Sequence, residues 1–230
     1  MTLQKNDFIE IDFTGKIKDT GEIFDSNIKE DLAKSNLENS EKLVKPFVFA
    51  LGQGMFLPGI EDYLIGKSDK PEKYTISLAP EKAFGLRDQK LIQIMPLKLF
   101  YEHKLNPIPG VMFNFDGRVA KVLSVSGGRV RVDFNHPIAG KEVVYDVKIN
   151  KKIEDLNEKI KHFMDFLFRK DFKFNIEGNK IMIDVEKPLA KFVELFADKF
   201  KEIFNLELQV KEIEADLKKV KNKKEEKESE

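Results

Sequence analysis

Few side chains in this chain of 230 residues could take part in covalent chemistry. The absence of cysteine excludes disulfides, thiolate metal sites and a cysteine nucleophile together. The 3 histidines, His103, His136 and His162, lie far apart in the sequence, so a shared metal site is not expected. The chain has 20 phenylalanines, whose large apolar surface needs no hydrogen-bonding partner and suits both a core and a dry pocket. We predict a protein without a metal or another cofactor.

The charges of the chain are balanced, with 40 Lys and Arg against 40 Asp and Glu. Such a chain has no bulk field that would attract nucleic acid or an anionic membrane. Residues 1–7 are polar and lack the apolar core of a signal sequence, and no stretch approaches the roughly 20 apolar residues that cross a bilayer. We therefore expect a soluble, cytoplasmic protein that binds neither nucleic acid nor membranes.

The length exceeds the roughly 100 to 200 residues of a common single domain, which favours two or three modules. In the first module, residues 8–18 alternate apolar and polar side chains, as a half-buried strand does. Further strands are predicted at 47–51 and 74–78, with a short helix at 58–64 that a proline can begin. Residues 26–39 are mostly polar and indicate a surface flap with about two helical turns.

A second, small β module is predicted at 87–134. Its strands at 111–115 and 118–123 flank Asp116-Gly117, a pair favoured in type I′ hairpin turns, and Gly127-Gly128 introduces another strand at 130–134. Residues 135–150 then return to alternation, as expected of a last strand that rejoins the first sheet. The first module is thus predicted to comprise residues 1–86 and 135–150.

A third module with the order α-β-β-α-β is predicted at 151–220. Two stripes of apolar residues at spacings of three and four predict its helices. The residues in these stripes are Ile153, Leu156, Ile160, Phe163, Met164 and Leu167, and then Leu189, Phe192, Val193, Phe196, Phe200 and Phe204. Between them, residues 172–176 and 181–185 form a hairpin across Gly178-Asn179, and a strand follows at 206–210. Residues 221–230 contain no apolar side chain and predict a disordered tail.

Several ordered motifs of the first module resemble the FKBP-type peptidyl-prolyl isomerases. IDFTGKIKDTGEIFDS is similar to the family's first strand and FDS element, KPFVFALGQGMFLPGIEDYLIG to its next strand and helix, and LAPEKAFG to its A-Y/F-G turn. The module inserted before NHPIAG has the position found in SlyD-like members, and the third module is similar to that of long-chain archaeal members. The resemblance implies an α+β fold in which an antiparallel FKBP sheet and short helix carry an inserted β-rich chaperone domain and a C-terminal α/β domain.

This resemblance implies an apolar pocket that isomerises X-Pro bonds of unfolded or partly folded polypeptides. Carried over by motif position, its walls are Phe13, Phe24, Asp25, Phe47, Phe56, Leu57, Ile60, Phe84 and Tyr145. Rotation about an amide needs no nucleophile, proton relay or metal, only a lower barrier than about 18 to 20 kcal/mol. The twisted amide is less polar than the planar one, so a dry aromatic pocket favours it. The resemblance also implies that Asp25 orients the pocket and that the N–H near Leu57 binds a carbonyl.

The sequence departs from the common family pattern at Phe13 and Phe84, where tyrosines are usual, and at Ile60, where many members have tryptophan. The missing hydroxyl at Phe84 removes a candidate hydrogen bond worth roughly 1 kcal/mol. We expect activity to persist, reduced on short peptides. The alternative is a non-catalytic holdase on the same scaffold. From the residues alone, the phenylalanines would be core, and Asp25 could equally be a turn or helix cap.

An apolar run in the inserted module indicates where unfolded clients bind. Its members are Ile92, Ile94, Met95, Leu97, Leu99 and Phe100. Flexible Met and Leu side chains suit varied sequences, although a module of this size needs part of the run for its own core. The phenylalanines of the third module predict homodimerisation, with client contact or a purely structural role as alternatives. RNA binding has only the α-β-β-α-β topology in its favour, since a Gly-x-x-Gly loop is missing.

Overall fold

The computed structural model describes residues 1–35, 44–115 and 117–214. The chain divides into two compact units, Met1–Glu154 and Asp155–Glu230, and each combines helices with β-sheet. The predicted α+β class is therefore confirmed. Leu37 of the predicted flap, Asp116 of the predicted hairpin turn and the predicted tail at 221–230 lie outside the described residues.

The first unit is built on a five-stranded antiparallel sheet. Its strands are β1 (Phe8–Ile17), β2 (Ile23–Ser26), β3 (Phe47–Ala50), β4 (Lys73–Leu78) and β9 (Val143–Ile153). The order is β2-β1-β9-β4, and β3 also pairs with β1, so the last strand rejoins the first sheet as predicted. The sequence does not predict β2, because its 4 residues are too few to set up a clear alternation.

Two helices flank this sheet. Helix α1 (Lys29–Leu32) is a single turn in the described part of the predicted flap, whose residues 36–39 lie outside the described ranges. Helix α2 (Pro58–Leu64) has the predicted bounds. A Cβ at Gly59 would lie 2.6 Å from the Leu78 side chain and 2.8 Å from the carbonyl oxygen of Lys82. Glycine at position 59 is therefore required for α2 to approach β4 this closely.

The inserted segment forms a four-stranded antiparallel sheet with the order β5-β8-β7-β6. Its elements are β5 (Ile92–Pro96), α3 (Leu97–Glu102), β6 (Met112–Phe115), β7 (Arg118–Ser126) and β8 (Arg129–Asp133). The predicted strands are thus confirmed, and β5 and α3 are additional elements of the apolar run. Gly127 and Gly128 have φ angles of 57° and 71°, which is the backbone that a type I′ turn requires.

Phe100 lies at the centre of the inserted segment's core, packed with Ala120, Val122, Val130 and Val132, and it is 0% exposed. The prediction that Phe100 contacts clients is therefore wrong, because its side chain has no free surface. Met95 and Leu97 also pack against this core and are only partly exposed. Periodicity does not reveal this, since a short strand followed by a short helix has no single repeat.

The second unit has a three-stranded sheet with the order β10-β11-β12. Its elements are α4 (Leu156–Phe168), β10 (Phe174–Glu177), β11 (Lys180–Glu186), α5 (Lys187–Glu194), α6 (Ala197–Phe204) and β12 (Glu207–Ile213). β10 and β11 form the predicted hairpin, and β12 pairs in parallel with β11. Ile160, Phe163, Met164, Ile181, Ile183, Val185, Val193 and Phe200 are among its buried core residues.

Three details of the second unit differ from the sequence prediction. Ile153 ends strand β9 rather than beginning a helix, so the first unit runs to Glu154. The predicted second helix is two helices, because Phe196 leaves the helical conformation with φ −96° and ψ 7°. Phe172 precedes β10 rather than lying within it. No glycine or proline marks the break at Phe196, so the apolar spacing alone predicts one continuous helix.

Within the three described ranges, no helix combines the length and the apolar character that crossing a membrane would require.

The buried position of Phe100 has a measurable consequence for stability. We expect Phe100→Ala to destabilise the inserted segment by about 3–5 kcal/mol, because it removes a fully buried aromatic side chain and leaves a cavity. Ile94→Ala is the matched control, since Ile94 is 63% exposed and should change stability little. Urea denaturation of both variants measures the difference; equal losses would contradict the assignment of Phe100 to the core.

Candidate active site

One group of aromatic rings gathers around Phe13, which β1 places on the sheet. Its ring centroid lies 5.0 Å from that of Phe56 and 6.0 Å from those of Phe47 and Tyr145. Phe47 begins β3, Tyr145 lies in β9, and Phe56 precedes α2. Phe56 also lies 5.3 Å from Phe47 and 5.6 Å from Tyr145, so residues from four separate segments form one continuous group.

A second group of rings extends the first toward the A-F-G turn. Phe24 in β2 lies 5.7 Å from Tyr145 and 5.4 Å from Phe84, in edge-to-face arrangements. Phe84 stacks on His136, with centroids 4.7 Å apart and ring planes inclined by 8°. Partial burial lowers the pKa of His136, which favours a neutral imidazole against the phenyl ring. The sequence analysis did not predict a role for His136 in the pocket. The available signal was its position in the NHPIAG motif, which follows the inserted module.

Tyr145 is fully buried, and its hydroxyl donates a hydrogen bond to Oδ2 of Asp25 at 3.4 Å. Burial raises the pKa of both groups, and at Asp25 the hydrogen bonds from Tyr145 and from the Ser26 backbone oppose this rise. Asp25 lies in β2 and not at a helix start, so it is not a helix cap. A Cβ at Gly15 would lie 2.8 Å from the Tyr145 ring, so glycine is required opposite this tyrosine.

The loop before α2 presents a backbone donor beside the rings. Glu61, 2% exposed, accepts hydrogen bonds from the N–H groups of Gly54 (3.1 Å) and Phe56 (2.7 Å) and so fixes this loop. Leu57 precedes the first residue of α2, and within the described residues its N–H has no protein acceptor. That N–H can bind a carbonyl oxygen. Ile60, in the first turn of α2, is fully buried.

Burial divides the predicted pocket residues into two layers. Phe13, Ile60 and Tyr145 are buried. Phe24, Asp25, Phe47, Phe56, Leu57 and Phe84 are each partly exposed. The ring contacts and the Asp25 hydrogen bond join all of them except Leu57 and Ile60 into one network. The partly exposed residues can touch a bound chain, whereas the buried ones support them.

Asn27 is a second residue that sequence reasoning missed. On this edge, strand β1 pairs with β3 up to Ile11 and with β2 from Thr14, so neither strand supplies an acceptor for the N–H of Phe13. The Asn27 side chain fills this gap: its Oδ1 accepts from the Phe13 N–H at 2.7 Å, and its Nδ2 donates to the carbonyls of Ile11 and Lys45, each at 3.0 Å. An amide side chain thus holds the backbone of Phe13 in place.

The rim of the pocket opens into a cleft of about 910 Å³. Phe24, Asp25, Phe84 and His136 line one part of it, and Met112, Val119, Lys121 and Leu123 of the inserted sheet line another. Asn135 connects the two chain segments that join the inserted sheet to the rest of the unit. Its side chain accepts a hydrogen bond from the Asp88 N–H at 2.8 Å and donates one to Asp133 at 2.6 Å. Asp133 is also paired with Arg87.

In the described ranges, no group of three or more His, Asp or Glu side chains is placed to hold a metal ion. The expectation of a metal-free protein stays a prediction.

The geometry agrees with comparisons to known proteins. The family described as FKBP-type peptidyl-prolyl cis-trans isomerase matches residues 1–105, and one described as FKBP26, IF domain matches residues 93–138. A short-type peptidyl-prolyl cis-trans isomerase of Methanocaldococcus jannaschii is 32% identical over 64% of this chain and 92% of its own. An FKBP-type 16 kDa isomerase of Escherichia coli is 28% identical over the same shares, and the isomerase SlyD of Aeromonas hydrophila is 31% identical over 51% of this chain and 56% of its own.

The chain belongs to the FKBP-type peptidyl-prolyl cis-trans isomerases. Its relatives include SlyD-type members, and proline-containing polypeptides are the substrates that the family implies. The reaction is rotation about an X-Pro amide, which makes and breaks no covalent bond. An aromatic network with one backbone donor has the parts that this rotation needs.

The position of Asn27 generates a prediction about Phe13. Asn27→Ala leaves the Phe13 N–H without its acceptor and should cost about 1–3 kcal/mol of stability and lower kcat/KM. If Asn27 acts through Phe13, the losses of kcat/KM in Asn27→Ala and Phe13→Leu are not additive in the double variant. Protease-coupled peptide assays of folded protein measure this cycle. Asn175→Ala, at an exposed position of strand β10 in the second unit, is the control. Additive losses would contradict the positioning role.

Proposed function

We propose that this isomerase holds unfolded polypeptides on its inserted domain, residues 87–134, and isomerises their X-Pro bonds in the aromatic pocket. The observation that carries this proposal is the cleft of about 910 Å³, which is lined both by Phe24 and Phe84 of the pocket and by Met112 and Val119 of the inserted sheet. A chain bound to the inserted sheet lies within reach of the pocket. Holding and turnover can then act on one client.

The pocket lowers the rotation barrier by discriminating between two states of the amide. The planar amide is polar through its resonance, and the twisted amide has lost that resonance. Apolar walls, supplied by the partly exposed rings of Phe24, Phe47, Phe56 and Phe84, favour the less polar state. Each tenfold acceleration needs about 1.4 kcal/mol of this preference.

Two polar groups fix the position of the substrate. The Leu57 N–H lies beside Phe56 and is available to bind a carbonyl of the bound chain. Asp25 is held at one end by Tyr145, so its carboxylate is oriented at the rim of the pocket. Neither group transfers a proton, because the reaction requires none. Their role is orientation, which keeps the proline ring against the phenylalanines.

The non-catalytic holdase is kept as the second candidate because Phe13 and Phe84 lack the hydroxyls that are usual in the family. Phe84 is instead held by stacking on His136. A ring held this way still forms an apolar wall. The absence of a hydroxyl therefore removes one polar contact and not the wall, which favours the enzyme over the holdase.

Phe84→Ala tests the pocket in the full-length protein. It removes a rim wall, and we expect acceleration of a proline-limited refolding reaction to fall at least about tenfold while suppression of aggregation is unchanged. Phe172→Ala in the second unit is the matched control and should retain both activities. Unchanged catalysis in Phe84→Ala would contradict the pocket assignment. A wild-type protein that suppresses aggregation without accelerating refolding would establish the holdase instead.

We also propose that the protein forms a homodimer through the second unit. Phe168, Phe172, Phe192 and Phe196 make edge-to-face contacts between 5.2 and 6.0 Å at its surface. Phe192 is 47% exposed and the adjacent Leu195 is 77% exposed. An apolar patch of this kind is a common interface feature.

Sedimentation equilibrium tests the dimer. Leu195→Asp places a charge in the patch, so we expect the variant to sediment as a monomer. Met182→Asp is the control, because Met182 is 36% exposed on a strand and lies outside the patch. A dimer that persists in Leu195→Asp, or a wild-type monomer, would contradict this interface.

A further inference from the structure

The inserted sheet has one face that its own core does not cover. Strands β7 and β8 turn Ala120, Val122, Val130 and Val132 into the core. The alternate residues point to the opposite side, here called the outer face. The outer face comprises Ile92, Ile94 and Pro96 of β5, Arg129, Arg131 and Asp133 of β8, Val119, Lys121, Leu123, Ser124 and Ser126 of β7, which has a bulge after Val122, and Met112 and Asn114 of β6.

Large apolar side chains are exposed across this face. Ile94 is 63% exposed, Met112 is 57% exposed and Val119 is 53% exposed. They come from β5, β6 and β7 in turn, so they span the width of the sheet. Ile92 and Ile94 are the members of the predicted client-binding run that reach this face, whereas Leu97 and Leu99 lie on α3, and Met95 packs against the core.

The charged side chains of the outer face are mainly basic. Arg129, Arg131 and Lys121 are all exposed, and within the described residues none of them has an ion-pair partner. Asp133 is the acidic member, but it is 6% exposed and is held by Arg87 and Asn135. Its charge is therefore satisfied inside the protein. An overall balanced chain thus carries a local face with unpaired positive charge.

The outer face is continuous with the cleft of about 910 Å³ described above. Val119, Lys121 and Leu123 lie two residues apart along β7, and all of them line the cleft that Phe24 and Phe84 also line. Met112 is the cross-strand partner of Lys121 and lines the same cleft. A chain that leaves the pocket meets apolar and basic side chains in alternation.

We propose that the outer face selects extended polypeptide segments that present apolar and acidic side chains on the same side. The inference rests on the holding function proposed above and names the class of client that this site prefers. An extended chain turns every second residue to one side, so apolar residues meet Ile94, Val119 and Met112 while Asp or Glu residues meet Arg129, Arg131 and Lys121. Segments rich in Lys or Arg meet like charge and are rejected.

The composition of the face favours a polypeptide over a nucleic acid. Single-stranded nucleic acids bind where aromatic side chains stack on bases beside a basic groove. The described residues of the outer face include no aromatic side chain, and its exposed apolar residues are aliphatic or methionine. Basic and aliphatic side chains together match an acidic, apolar peptide.

The test uses the full-length protein and three fluorescent, proline-free peptides of one length. On one side of the extended peptide, every second side chain is an apolar residue that all three peptides share. The side chains between these apolar residues on the same side are Glu in one peptide, Lys in the second and Ser in the third. Fluorescence anisotropy should give the tightest binding for the Glu peptide, at least about fivefold tighter than for the Lys peptide, and the advantage should shrink as salt is added. A single-stranded oligonucleotide is included as a fourth probe.

Charge reversal on the outer face tests whether the preference for the Glu peptide arises there. Arg131→Glu should weaken binding of the Glu peptide about fivefold and strengthen that of the Lys peptide. Lys98→Glu is the control, because Lys98 lies on α3, which covers the core side of the sheet. Both variants should isomerise short peptides at the wild-type rate, which also verifies that they fold.

The outcomes distinguish a failure of the charge preference from a failure of the holding function. Equal binding of the Glu and Lys peptides, an equal effect of Lys98→Glu, or preferential binding of the oligonucleotide would overturn the charge preference and leave holding intact. Binding of none of the peptides, together with normal isomerisation, would overturn the holding function itself.

Discussion

The aromatic pocket depends on a constraint in strand β1, which must carry Phe13 at the point where its edge changes partners. β3 pairs with one part of this edge and β2 with the next, and a buried backbone N–H between them has to be satisfied. The Asn27 side chain does so and also binds the carbonyls of Ile11 and Lys45. With both strands paired to β1, Phe47 of β3 lies 6.0 Å from Phe13, and Phe24 of β2 lies 5.7 Å from Tyr145.

The polar groups around the pocket are arranged so that no charge needs to enter it. Burial raises the pKa of Asp25, and the Tyr145 hydroxyl and the Ser26 N–H stabilise its carboxylate at the rim. Glu61 is nearly fully buried, and its carboxylate accepts hydrogen bonds from the N–H groups of Gly54 and Phe56 rather than contacting substrate. The surface that remains for the substrate is mainly aromatic, with the partly exposed Asp25 at its rim. This suits a reaction whose transition state is less polar than its ground state.

The sequence predicts elements where a local signal is strong and fails where the signal comes from tertiary contacts. Helix α2 has a proline at its start and a glycine after its end, and the β7–β8 hairpin has Gly127-Gly128, so both follow from the residues. β2, the helix break at Phe196 and the core position of Phe100 have no such local marker. Most pocket residues could be located through motif order, but Asn27 and His136 act through a hydrogen bond and a ring stack that only the folded chain reveals.

The contrast between the pocket and the inserted sheet fits the two different roles proposed for them. A pocket that lowers an amide barrier needs apolar walls around the rotating bond, because charge there would favour the polar, planar amide. A surface that holds unfolded chains must discriminate among many segments. Charge can discriminate among them because electrostatic attraction acts over longer distances than apolar contact does. In the part of the chain that the structure describes, rings form most of the pocket, and Arg and Lys side chains without an ion-pair partner lie on the inserted sheet. Residues of both line the cleft. In the function proposed above, charge on the inserted sheet selects the client, and the apolar walls of the pocket act on its X-Pro bond.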